Sequence, residues 1–490
     1  MSILARLFGL KDATPEGLRL AKIIAILLPA FAMSFQISTT FYMIFIAEKL
    51  GGGDYLAGIA LVGVLVVVQM AVQTALDYPT AALGDWIGHR WIIASAMICY
   101  GIAFGLTSMV TAETPFTFFL TIYTLFGLGA SQESGAFQAW FDNNYRIAMA
   151  KDEDRKQYGV FSGKLGMLWQ IASVSVLIPG SFFALVYGRE WVFWVQAILS
   201  FALAVVVLVV VKDLPGVRKV SQDSPSLRDY GKILKDGVKF TFSSRFISLI
   251  IFGEVLIWAT GALWWNIILF PLYFSYLLSD VMVSFFRTIV FIPEAVIQER
   301  GGVLSKRFDP VKWVPRFRLL QFCGFTFYLL LSITTLFFPP PDASTALLFI
   351  PIPWIALYPI PQFTTIFLVF PITSIIPIIL IFIIFLVSDV FATLAQILNQ
   401  RVLIDVVPTH IRNSLYSFRP TLAMIIAMPL MLIFSILLTT YYFPLTLALV
   451  SLVALIGAYL TKKGFSYPIS KVKDQPEVVA EEIEPEPPMI

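Results

Sequence analysis

Apolar runs of about 20 residues recur along the whole chain, each long enough to cross the hydrocarbon of a bilayer as a helix. Twelve such spans can be read: Ala21–Ile46, Tyr55–Leu76, Trp91–Val110, Phe116–Phe141, Val160–Val186, Trp191–Val211, Phe246–Tyr276, Val281–Gln298, Leu319–Phe338, Ile378–Leu403, Leu415–Leu438 and Tyr441–Leu460. The 490 residues are 58% hydrophobic and 13% charged, with mean hydropathy +0.83. A soluble protein carries about 25% charged residues, so this chain cannot hide its apolar surface in a water-soluble core. Lipid must be the solvent for much of it. The expectation is an all-α membrane protein with 12 transmembrane helices. The first run is too long for a signal peptide and has no small-residue cleavage site, so it is expected to stay as span one.

The net charge of +3 says little, but its distribution is informative. Of 34 Lys and Arg, Lys49 and Arg189 fall in alternate loops and Arg287 within a span. The rest lie in the termini, the other loops or the span ends beside them. Basic residues collect on the cytoplasmic side, which predicts a multi-pass protein of the cell membrane with both termini cytoplasmic. Nothing in this pattern calls for nucleic acid. Cys99 and Cys323 lie inside spans three and nine, where a small packing residue is expected. No metal-ligand spacing or cofactor motif occurs.

These spans divide into an N-terminal segment 1–20, a six-helix bundle 21–211, a cytoplasmic linker 212–245, a second six-helix bundle 246–460 and a tail 461–490. The linker holds eight basic residues with Pro215 and Pro225. The Pro- and Glu-rich tail is expected to be disordered. Segment 339–377 is apolar but carries nine prolines. Proline at this density breaks helices, and one extra span would invert the basic loops that follow. The segment therefore reads as an outer excursion, interfacial or a re-entrant hairpin. A weak internal repeat relates Gly302–Asp309, between spans eight and nine, to Ala81–Gly88 between spans two and three, with Lys306 in place of the acid.

Polar groups inside a bilayer need a partner or a wet cavity. In span ten, Asp389, Thr393, Gln396 and Gln400 recur at i, i+4, i+7 and i+11, forming one stripe on an Ile/Leu/Phe helix. Span eight repeats the spacing with Arg287, Glu294 and Gln298. Span seven does so with Glu254, Trp258, Gly261 and Trp265. Span one offers Gln36 and Thr40, span two Gln69 and Gln73, and span four Gln132 and Glu133. Gly127, Ser131, Gly135 and Ala139 form a small-residue stripe suited to close helix packing, and Glu133 points away from it. Seams on several helices imply a shared central cavity, with Glu133 and Asp389 as carriers of coupling. A helix-orienting network of hydrogen bonds and ion pairs is the alternative for each of these groups.

The run Tyr78-Pro79-Thr80-Ala81-Ala82-Leu83-Gly84-Asp85-Trp86-Ile87-Gly88-His89-Arg90 resembles the loop 2–3 signature of the major facilitator superfamily, roughly G-x-L-a-D-r-x-G-r-R/K. The resemblance implies two pseudo-symmetric six-helix bundles, a monomer, and transport by alternating access around a site between spans one, four, seven and ten. It implies a conformational latch, in which Asp85 braces the start of span eleven near Ile411–Ser414, Gly88 forms the turn, and Arg90 pairs with Asp142. The sequence departs from the signature at Ala81 and Trp86. Family members that use the proton gradient often carry an arginine in span four, four residues before a glycine; here that position is Tyr123, before Gly127.

The expected function is secondary active transport of a small organic solute, coupled to a proton or another ion gradient. The mixed acidic, basic and aromatic seams fit an amphipathic or cationic solute that is exported. A sugar or carboxylate importer is the alternative within the class. Outside it stand a non-translocating membrane sensor and an integral-membrane lipid enzyme. No G-x-x-x-x-G-K-[ST] occurs, so the chain does not itself use nucleotide. The two histidines, His89 and His410, lie in separate loops rather than in a catalytic cluster.

Overall fold

The structure is a computed structural model describing residues 8–10, 13–152, 156–215, 217, 231, 235, 237–291, 307–342, 345–356, 362–406 and 409–468. The tail beyond 468, most of the 212–245 linker, Glu294 and most of the repeat at 302–309 lie outside the described residues.

Helix α1 (Pro15–Gln36) starts where Thr14 accepts a hydrogen bond from the Gly17 amide at 3.0 Å, with Pro15 in the first turn. Such a cap satisfies an amide that the helix cannot. A turn at 37–41 leads into α2 (Tyr42–Leu50), and together they form span one. Asp54 caps α3 (Tyr55–Ile87) through the Leu56 amide at 2.9 Å. One residue, Gly88, separates α3 from α4 (His89–Thr107). Its φ of +101° is open to glycine and strained for other residues. The predicted loop 2–3 is thus the last turns of α3 plus a single hinge residue. Helices α5 (Phe116–Ala148), α6 (Lys156–Tyr187) and α7 (Arg189–Val210) complete the amino half.

In the carboxyl half, α8 (Arg245–Leu263) passes through a π turn, Trp264–Ile268, into α9 (Leu269–Leu277). Helix α10 occupies 280–291. Span nine is broken: α11 (Pro310–Leu320) and α12 (Phe325–Phe337) meet at Cys323, whose φ is +65°. Helix α13 (Ile375–Val406) is span ten. Helix α14 (Thr409–Gly464) carries spans eleven and twelve, interrupted at Tyr442 with φ 57° and ψ −165°. Among the described residues, nine segments are long and apolar enough to cross a membrane. One of them holds two predicted spans, and α5 and α10 account for spans four and eight, which completes the twelve.

Span four lies against span two along the predicted small-residue stripe. A Cβ on Gly127 would meet the Gln69 carbonyl oxygen at 2.6 Å, and Thr80 donates to the Ser131 carbonyl at 2.8 Å. Helix α1 packs on α6, α4 on α5 and α7, and α8 on the last turns of α14. The halves meet where α3 lies along α14. There the Thr74 hydroxyl contacts the Met424 sulfur at 3.2 Å, and Gly63 lets Ser435 approach to where a Cβ would clash.

The proline-rich excursion is a β-hairpin. Strand β1 (Leu347–Ala356) pairs antiparallel with β2 (Gln362–Pro371), from Leu347↔Pro371 to Ala356↔Gln362. Pro351 and Pro353 are two apart, so their missing amides fall on the same edge of β1, the one facing away from β2. Proline is tolerated there and discourages further pairing. Pro377 sits in the first turn of α13, where a missing amide breaks no helical bond.

Candidate functional site

A two-lobed cavity lies between the halves. The first lobe, about 240 Å³, is walled on the amino side by Phe35, Tyr42, Phe104, Tyr123 and Phe126, with the amide of Gln69. Trp265, Asn266 and Phe270 close it from the carboxyl half. The second lobe, about 250 Å³, takes Gln36, Thr39 and Thr40 from span one and Trp169, Gln170 and Ser173 from α6. Arg287 and Phe291 of α10 face them. Thr39, Trp265 and Phe270 line both lobes, so the two are compartments of one space.

The π turn is what puts both Trp265 and Phe270 on that wall. In an α-helix, residues five apart point about 140° away from each other. A π turn bonds i to i+5 and brings them into line, and such bulges are frequent at functional sites. The preceding residue, Trp264, turns the other way into a fully buried cluster with Phe327, Tyr328 and Phe385.

Arg287 is 5% exposed. Its guanidinium carbon lies 4.4 Å from the Trp265 ring centre, 3.9 Å from Phe291 and 5.8 Å from Phe385. Ring faces attract a cation, by about 2 kcal/mol where water is excluded, so these side chains hold a charge at the cavity wall in an apolar setting.

A separate cavity of about 260 Å³ sits inside the carboxyl half, lined by Glu254, Trp258, Arg318, Gln396, Asn399 and Arg419. Arg318 grips Glu254 with two parallel bonds, Nε to Oε1 at 2.7 Å and Nη2 to Oε2. Its Nη1 donates to Gln321 at 2.6 Å. This bidentate pair ties span seven to span nine.

One end of the central cavity is sealed by contacts across the halves. Arg189, at the start of α7, donates to Asp280 through Nε at 2.7 Å and Nη2 at 2.9 Å, and to Glu48 through Nη1 at 2.5 Å. Below it, the hydroxyls of Thr40 and Ser284 lie 2.7 Å apart, and Ser181 bonds to Ser284 as well. Tyr55 packs edge-on against Phe274 with ring centres 5.4 Å apart.

The cavity thus gathers Gln36 and Arg287 from the predicted set, with Trp265 and Gln69. Among the described residues it does not gather the acids. Glu254, Trp258 and Gln396 line the separate cavity instead, so the span-seven seam serves two spaces. Asp389 lies near Cys323, whose carbonyl accepts from Thr260 at 3.0 Å. Thr393 is half-buried and lines neither cavity. Glu133 is half-buried beside Tyr100, with no hydrogen bond to a described residue. Gln132 is half-buried, and its Oε1 has no hydrogen-bond partner among the described residues. Glu294 is outside the described residues, as is the side chain of Asp85. The expected Arg90–Asp142 pair is replaced. Arg90 lies 5.1 Å from the Trp91 ring, and Asp142 takes Arg146, one helical turn on, at 2.9 Å. Four residues along a helix is a shorter reach than the gap between helices. Tyr42, Asn266, Trp169 and Gln170 are cavity residues that periodicity did not single out. Trp169 and Gln170 are sequence neighbours rather than a seam, and the phase of Asn266 depends on the π turn.

Residues 24–371 match the family model described as Major Facilitator Superfamily. The chain belongs to that superfamily and is a multi-pass membrane transporter, not an enzyme. Its fold is similar to the crystal structure of the nucleoside transporter NupG, at TM-score 0.62 and 12% identity, covering 93% of this chain and 100% of that one. A variant of NupG gives TM-score 0.63 and 12% identity, covering 91% and 99%. At that identity the likeness is one of fold. No curated protein sequence matches.

Proposed function

We propose that the chain is a secondary active transporter of the cytoplasmic membrane that carries a small organic solute by alternating access, driven by an ion or solute gradient. The observation that carries this reading is a cavity built from both halves and closed at one end by bonds between them. By the basic-residue asymmetry that end is the outer one, and both chain termini face the cytoplasm. Rocking the halves about the cavity would break the Arg189–Asp280 bridge and the hydroxyl contacts of Ser284, and expose the solute to the outside. The protein works as a monomer, since each half already finds its partner in the same chain.

Coupling is assigned to Glu133, a carboxyl group one turn from Gly129, which packs against Tyr100. Glu133→Gln is expected to keep solute exchange but lose accumulation against a gradient. Reconstituted vesicles loaded with unlabelled solute and diluted into labelled solute test the transport reading. Counterflow supports it; binding without counterflow would leave a sensor. A nucleoside, the solute named for the structural neighbours, belongs in the panel. Right-side-out and inverted vesicles give the direction of flux.

A further inference from the structure

Residues 343–388 contain no Asp, Glu, Lys, Arg or His. Between spans nine and ten this stretch is the β-hairpin, which lies on the outer side by the basic-residue asymmetry. Protein in water carries about one charged residue in four, and a hairpin with one face on protein and one in water alternates apolar and polar side chains. The hairpin does neither. Leu347 and Phe349 stand on one face of β1 and Leu348 and Ile350 on the other, and all four are exposed, Phe349 by 54%. Strand β2 is the one held by the protein: Leu368 and Phe370 are buried, and the strand packs on α9. We infer that the hairpin is a lipid anchor, in which β1 dips into the headgroup layer of the outer leaflet while β2 rests on the outer end of span seven.

Lipid is the occupant because the exposed apolar surface of β1 continues into surface that faces lipid. Leu336 and Phe337 end span nine, and Ile376, Ile379 and Ile383 form an exposed stripe at helical spacing down the start of span ten. The Ile372 amide donates to the Ala346 carbonyl at 3.1 Å, and the Tyr276 hydroxyl to the Phe338 carbonyl at 2.6 Å. These bonds hold the base of the hairpin at the span ends, so it leaves the body at the membrane surface. The backbone edge sets which strand dips and how far. An unbonded amide in hydrocarbon costs several kcal/mol. Pro351 and Pro353 remove two such donors from the outer edge of β1, whereas Phe367 and Thr365, opposite them, keep amides that point away from β1. Strand β1 is therefore the less costly one to bring toward lipid. Its edge carbonyls still need donors, which water among the headgroups supplies and acyl chains do not. That places β1 about 5–10 Å into the headgroup and acyl boundary rather than across the hydrocarbon. A protein partner would add a strand to the same edge, and the two prolines oppose that.

The test uses full-length protein with one added cysteine, labelled with a thiol-reactive NBD fluorophore and reconstituted in phosphatidylcholine vesicles. Leu348→Cys and Phe349→Cys report the two faces of β1. Ile383→Cys reports the lipid face of span ten, and Glu113→Cys an exposed position between spans three and four. The native Cys99 and Cys323 are buried. The quenchers are iodide on both sides of the membrane and lipids that carry a nitroxide on the headgroup or midway down the acyl chain. Both β1 labels are expected to be quenched most by the headgroup nitroxide, with iodide quenching at least about threefold below that of Glu113→Cys, as for a face buried at the headgroup boundary. Ile383→Cys should respond most to the mid-chain nitroxide. Iodide quenching at either β1 position equal to that of Glu113→Cys puts that face in water and overturns the inference. A pattern matching Ile383→Cys puts β1 in the hydrocarbon and overturns it as well. Protection from iodide and from both nitroxides means that protein, a second copy included, covers the strand, and this too overturns it. Thermal unfolding checks that each variant folds, and the two β1 positions are read separately, so one decides where the other fails to fold. None of these readings involves a solute, so they stand or fall apart from the transport reading.

Discussion

Two arginines are buried in the carboxyl half on neighbouring spans, and they are held in opposite ways. Arg318 is locked by Glu254 and Gln321 into a fully matched set of hydrogen bonds, with 8% and 9% of the paired side chains exposed. Arg287 lies among the rings of Trp265, Phe291 and Phe385, at the wall of a cavity that both halves share. A buried charge met by an acid of the same half ties helices together. A buried charge set against ring faces at the cavity wall lies where both halves meet, and the rings attract it. The same residue type therefore ties two helices inside one half in one place and stands at the wall shared by both halves in the other.

The largest effect should come from breaking the matched pair. Glu254→Gln leaves Arg318 buried with no countercharge from span seven, a change that costs about 3–5 kcal/mol. The unfolding midpoint of the purified protein should fall sharply. Replacing both partners together, with Glu254→Leu and Arg318→Met, should recover much of the loss, because burying an ion pair has its own desolvation cost. Next comes Arg287→Gln. Its loss of cation–ring attraction is about 1–2 kcal/mol, so stability should change less than in Glu254→Gln while solute exchange through the shared cavity falls. If the two variants unfold alike, or if Glu254→Gln spoils transport with no loss of stability, the contrast between the arginines breaks.

A third arginine sharpens it. Arg189 is matched by acids, as Arg318 is, but one of them belongs to the other half and the side chains are 16% and 14% exposed. A bond made in only one conformation changes the balance of conformations rather than the stability of the fold. Asp280→Asn removes a charge-assisted bond worth about 1.5–3 kcal/mol from the closed state alone. The unfolding midpoint should barely move. A membrane-impermeant thiol reagent should label Thr39→Cys, at the cavity, roughly tenfold faster in this background. The native Cys99 and Cys323 are buried, which keeps the background low.

The spans were legible because lipid imposes them: a helix must be apolar over about 20 residues wherever it crosses, and the sequence shows this at every span. That span four would pass close to another helix was equally readable from Gly127 and Ser131, though not that the neighbour is α3. What was hidden is whatever depends on phase or on non-local pairing. A π turn at Trp264–Ile268 leaves no composition signal, yet it sends Trp264 to the core and Trp265 to the cavity. The seam rule put Glu254 and Trp265 on one face, but the two line different cavities, because a helix long enough to cross a bilayer passes more than one. The prolines of 339–377 excluded a helix; that they form an edge strand follows only once β2 is seen to pair with β1. The Arg90–Asp142 pairing came from the family resemblance, and the local alternative, Arg146, lay four residues away in the same helix.

The smallest expected effect isolates what holds the sealed end shut. Lys49 meets Glu190 at 3.2 Å beside the Arg189 cluster, and their side chains are 27% and 41% exposed. Both residues belong to the amino half, and Lys49 also lies 4.9 Å from the Phe45 ring. An ion pair this open to water contributes about 0–1 kcal/mol, and it stays intact whether the halves are together or apart. Glu190→Gln should therefore leave the unfolding midpoint, the exchange rate and the labelling of Thr39→Cys near the parent values. The variant removes one negative charge from the same end of the molecule as Asp280→Asn does, so the two differ in geometry more than in charge. Equal labelling in both would mean that the net charge of this end keeps the cavity closed. Labelling raised in Asp280→Asn alone means that the bridge across the halves does so.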